Sequence, residues 1–142
     1  MLELKFEDKV KVWKNLRETL ELHPRPFDAV LQFVRKLPLS AKKKTNAWDP
    51  KAKIEPWHLI EKTEFTEYEI AQLTAYTLQL TDRFSEAQIE IYISKENKKS
   101  KLLYLVYVDN FIVIGYNNEV TTVEELPANV IPQKIYSMPP IH

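Results

Sequence analysis

Residues 89–116 read IEIYISKENKKSKLLYLVYVDNFIVIGY, and their periodicity decides the fold class. Ile89, Ile91 and Ile93 alternate with Glu90 and Tyr92, the period of two that a half-buried strand requires. Lys95–Lys101 is a polar turn. Leu102–Val108 is apolar on both faces, Asp109-Asn110 turns the chain, and Phe111–Tyr116 is again apolar on both faces until Asn117-Asn118 ends it. Three strands this close in sequence form an antiparallel meander, and the second, apolar on both faces, belongs at its centre.

Upstream the period is helical. Phe6, Val10, Trp13, Leu16 and Leu20 place an amphipathic helix over residues 7–22. His23-Pro24-Arg25-Pro26 stops it, because proline lacks an N–H and disfavours helix at the residue before it. A second helix runs from Phe27 to about Leu37, with Phe27, Val30, Leu31 and Val34 on one face. Residues 38–56 carry Pro38, Pro50 and Pro56 without periodicity and read as a loop, followed by a short helix over Pro56–Lys62. Thr66 and Glu69 form a capping box that opens the strongest helix, Glu67–Leu80, with Ile70, Leu73, Tyr76 or Thr77, and Leu80 facing inwards.

Downstream of the meander, Thr121 or Thr122 is placed to cap a short turn of helix through Leu126. The tail, Val130–His142, is too apolar to be left in water and is expected to dock as an extra strand or a packing arm. The expected fold is α+β: N-terminal helices and a capped central helix packed on an antiparallel β-meander of three to five strands. One compact domain over residues 1–142 is expected, helical over about 1–84 and sheet over about 85–142.

Composition narrows the chemistry. The chain has one glycine, Gly115, no cysteine, and a formal net charge of zero. Phosphate-cradling loops and nucleophile elbows need several glycines. Disulfides and thiolate metal sites need cysteine. A neutral molecule has no whole-body field favouring nucleic acid or an anionic membrane. The longest apolar run, Leu102–Val108, is far short of a membrane span, and the N-terminus lacks a signal-peptide apolar region. No membrane association and a cytoplasmic location are therefore expected.

Four sets of residues are candidates for function. The loop over residues 41–53 holds Lys42, Lys43, Lys44, Lys51 and Lys53 around Trp48. Lysines neutralise phosphates and an exposed indole stacks on a base, the combination used on single-stranded nucleic acid. Glu55-x-x-His58-x-x-Glu61 has helical metal-ligand spacing, but di-metal bundles need that pair twice and no second Glu-x-x-His exists. Ser40, Ser85, Ser94, Ser100 and Ser137 lack glycine-bearing context, and Glu86 with Glu90 read as surface acids. No catalytic residue, metal or cofactor is assigned.

The fourth set is aromatic. Tyr92, Tyr104, Tyr107, Tyr116 and Tyr136 lie on the strands and tail, and one helical layer covers only one face of a sheet. Tyrosine is a good interface anchor. The function expected is a non-catalytic regulatory or adaptor protein that binds another macromolecule, a protein or a second copy of itself, through these tyrosines. The alternatives are nucleic-acid binding through the lysine and tryptophan loop, and a small enzyme whose site sequence cannot show.

Overall fold

The computed structural model describes residues 5–40, 55–97 and 101–138. Within them the chain forms α1 (Phe6–Leu20), α2 (Pro26–Arg35), α3 (Pro56–Glu61) and α4 (Glu67–Gln79). Five strands follow: β1 (Ile89–Glu96), β2 (Leu102–Val108), β3 (Ile112–Tyr116), β4 (Glu119–Thr122) and β5 (Val130–Met138). All neighbouring strands are antiparallel, in the order β4-β3-β2-β1-β5. The fold is α+β, with β2 at the centre as its two apolar faces require. The tail enters as β5 and pairs with β1.

α4 organises the helical side. Thr66 Oγ1 accepts the Glu69 N–H and the Glu69 carboxylate accepts the Thr66 N–H, so the capping box is closed at both ends. Eleven of the 13 residues in this helix are buried, far more than the one face its sequence period offers. The cause is its central place, between the sheet on one side and the other three helices around it. Some of its buried polar side chains find partners within the helix and others across the fold. Thr77 Oγ1 accepts the Trp13 indole N–H at 2.9 Å and donates to the Leu73 carbonyl, while Gln79 Nε2 donates to the Met138 carbonyl at 2.8 Å.

α1 departs from its sequence pattern. Phe6, placed on the apolar face, is 43% exposed, while Lys9 is buried with its Nζ donating to the Lys62 carbonyl at 3.3 Å. Trp13 and Leu20 are fully buried. The turn after α1 is held by Glu21, whose carboxylate accepts the Asp82 and Arg83 N–H groups, and by Arg83, whose guanidinium donates to the Leu20 and His23 carbonyls. Residues 123–126 form a hydrogen-bonded turn rather than a turn of helix, because β4 consumes Thr121 and Thr122 first. Thr122 still caps it: Oγ1 accepts the Glu125 N–H.

The two sheet faces have different covers. Ile89, Ile91, Ile93, Val106, Val108, Ile114 and Met138 join the helices in the main core. Leu105, Tyr107, Val113 and Val130 form a second cluster on the opposite face, with Leu126 packed against it. Leu126 arrives there because β4 and β5 occupy opposite edges, so residues 123–129 must cross the sheet. Four inter-strand steps make roughly 19 Å, and seven extended residues reach about 24 Å. The connection also folds into turns, with the Leu126 N–H on the Thr122 carbonyl and the Val130 N–H on the Pro127 carbonyl. Its reach is thereby shortened, and the sheet must coil towards this face for the edges to meet. Tyr116 on β3 accordingly donates to the Glu96 carboxylate on β1, across the intervening β2.

Candidate functional site

The five tyrosines divide between the two faces. Tyr104 and Tyr136 lie under α4, where the Tyr68 ring sits 5.9 Å from the first and 5.7 Å from the second. Tyr92, Tyr107 and Tyr116 lie on the face that the helices leave open. No single surface therefore presents all five, because residue parity along each strand fixes the face and the parities differ.

On the open face, Tyr107 is 4% exposed and Tyr92 half-buried, and their rings stack 3.7 Å apart. Burial pushes the hydroxyl pKa of both above the usual tyrosine value, with the Glu90 carboxylate adding to the rise at Tyr92. Ile135 on β5 is the cross-strand partner of Tyr92 and is 47% exposed. Cross-strand partners share a face, so an aromatic ring and an exposed aliphatic side chain stand together beside the β5 edge. The Tyr116 hydroxyl is held protonated first by its hydrogen bond to Glu96 and then by desolvation, both raising its pKa. It closes the far end of the same face.

A second recess lies on the helical side. A cleft of about 640 Å³ opens between α2, α4 and the β2–β3 pair, with Leu31, Val34, Ile70, Ala71, Val106 and Ile114 among its walls. Arg35, Glu67, Lys101, Asn117 and Asn118 also line it. Sequence reading missed this cleft, because its walls are ordinary core residues whose spacing signals only helix and strand.

The other sequence candidates fall as follows. Lys42, Lys43, Lys44, Trp48, Lys51 and Lys53 lie outside the described residues. Glu55, His58 and Glu61 sit on or beside α3, and no group of three potential metal ligands comes together among the described residues. Glu90 accepts a hydrogen bond from Gln88 at 3.0 Å. Ser94 is fully buried, and its hydroxyl has no hydrogen-bond partner. Among the described residues, no helix is long and apolar enough to cross a membrane. No family model matches the chain, and neither a curated protein nor a solved structure matches it.

Proposed function

We propose that the chain is a non-catalytic regulatory or adaptor protein that binds another protein through its helix-free sheet face and the β5 edge. The supporting observation is the side-by-side placement of Tyr92 and the half-exposed Ile135, with Tyr92 laid on the buried Tyr107. A tyrosine already stacked loses little freedom on binding, and an aliphatic neighbour on a rigid strand supplies apolar area. β5 is also a free sheet edge. Pro132, the register break between Ile93 and Ser94 opposite it, and Lys134 interrupt that edge. Such features discourage indiscriminate strand pairing, which leaves side chains to select the partner.

The test compares the full chain with Tyr92→Ala, Ile135→Asp and, as a control, Leu22→Asp at a remote and 93% exposed position. The expected result is a protein, or a second copy of this chain, bound by the wild type and the control but lost in both sheet-face variants. Nucleic acid recovered instead, and lost on Lys42/Lys43/Lys44→Ala, would favour the basic loop. Absence of both self-association and protein capture in the wild type would overturn the proposal.

A further inference from the structure

The cleft between α2, α4 and the β2–β3 pair has a chemistry of its own, and Tyr92, Tyr107 and Ile135 of the sheet-face reading are not in its lining. We propose that it binds a single aliphatic chain bearing one anionic head group, the chemistry of a medium-chain fatty carboxylate. Three observations fix that choice.

First, the deepest walls offer a ligand apolar contact. Leu31, Val34, Ile70, Ala71, Val106 and Ile114 supply the walls. Two hydroxyl-bearing side chains join them: Thr74, which donates to the Ile70 carbonyl at 2.8 Å, and Tyr104, whose ring packs beside that of Tyr68. A ligand polar along its whole length would lose its water against the Leu31, Val34, Val106 and Ile114 side chains. Second, the volume of about 640 Å³ lies in the ordinary range for small-molecule sites, roughly 300–1,000 Å³.

Third, the charged lining favours an anion. Arg35 and Lys101 face one acid, Glu67, which pairs with Lys101 at 3.7 Å. Arg35 is exposed and makes no ion pair among the described residues. A guanidinium is a planar fork, which matches a carboxylate with two parallel hydrogen bonds. Asn117 and Asn118, on the β3–β4 turn, also belong to the lining. A cationic amphiphile would meet Arg35 unfavourably, and a neutral alcohol would leave it unused.

The experiment is calorimetric titration of the full chain with octanoate, decanoate and dodecanoate, each below its micelle concentration, and with decyltrimethylammonium. Affinity should tighten roughly threefold to fourfold for each added methylene. Decanoate should bind at least tenfold more tightly than the ammonium amphiphile. Arg35→Gln should weaken decanoate about tenfold with an unchanged circular dichroism spectrum. Methyl-labelled NMR of the wild type guards against nonspecific uptake: decanoate should shift the Ile70 and Ile114 methyl signals and leave Ile135 unmoved. No saturable binding of dodecanoate, equal affinity for the cation, or shifts centred on Ile135 would each overturn the proposal.

Discussion

The ring of Tyr92 lies flat on that of Tyr107, with centroids 3.7 Å apart and planes 5° from parallel, although the two residues are not cross-strand partners. Tyr92 is opposite Leu105 and Tyr107 is opposite Glu90, so the pair is diagonal across β1 and β2. Diagonal neighbours are too far apart for short side chains, but aromatic rings bridge the gap. The contact couples the half-buried end of the open face to its buried cluster.

That coupling is measurable. A double-mutant cycle on Tyr92→Ala and Tyr107→Ala should return an interaction of about 0.5–1.5 kcal/mol beyond the single costs. Tyr107→Ala alone should be the more damaging, because Tyr107 is 4% exposed while Tyr92 is only half-buried. Strictly additive losses in chemical denaturation would mean that the rings do not hold this stack in solution.

Leu105 tests the crossing connection. It faces away from the helices, yet it is 1% exposed, with Leu126 of the connection packed against its cluster. Leu105→Ala should cost about 2–5 kcal/mol, because lost transfer energy and the residual cavity add. Ile112 is only partly buried on the helical face and should cost less on the same truncation. A loss below about 0.5 kcal/mol at Leu105, the range of a surface site, would show that the face is open to water.

Periodicity made the meander legible, and the capping box located α4, since both are local signals. What sequence could not show depends on long-range geometry. The crossing of residues 123–129 follows from β5 choosing the β1 edge, which nothing in the tail's own residues dictates. The burial of α4 on nearly every side follows from being surrounded, so Gln72 and Thr74 read as surface residues until the packing is known. The tight turns do without glycine. Asn97, Asp109, Asn110, Asn117 and Asn118 all adopt positive φ, because their short polar side chains tolerate the left-handed region that tight hairpin turns demand. Gly115 also has a positive φ, 111°, and sits within β3 at the register shift between Ile114 and Tyr116. The tyrosines were read as one surface, although strand parity alone separates Tyr104 from Tyr107. The cleft gave no sequence signal at all.

Around the capping box, Glu69 carries two loads. Its side chain is 4% exposed; one carboxylate oxygen accepts the Thr66 N–H and the other pairs with Lys62 at 2.9 Å. Thr66→Ala should cost about 1 kcal/mol, the usual value of a lost N-cap. Lys62→Met should cost about 1–3 kcal/mol, since it strands a desolvated carboxylate. Adding Glu69→Gln to Lys62→Met should recover part of that loss, because the amide keeps an acceptor for Thr66 without the charge. Thermal or urea unfolding of the three variants checks the order; a double variant worse than Lys62→Met would contradict it.

Alkaline pH should destabilise the protein through its buried phenols. Burial pushes the Tyr68 hydroxyl from 10.0 up to about 12, with the neighbouring Tyr136, Tyr76 and Tyr104 adding to the rise. Desolvation raises Tyr76, Tyr104, Tyr92 and Tyr107 as well. A raised value means that the folded state holds the proton more tightly than the unfolded chain. The contribution is fully present below about pH 10 and is lost as pH climbs through the folded value of about 12. Above pH 10 the unfolded chain releases these protons first, so stability falls, by at most about 1.4 kcal/mol per pH unit for each proton. Urea unfolding at intervals from pH 8 to 11.5, with tyrosinate absorbance followed in parallel, should show a level region and then a decline. Tyr68→Phe removes the group with the largest rise and should flatten that decline, while Tyr116→Phe, whose phenol is held first by its hydrogen bond to Glu96 and only then by desolvation, should change it less. A Tyr68→Phe profile that superimposes on the wild type between pH 10 and 11.5 would show that Tyr68 ionises without opposing the fold.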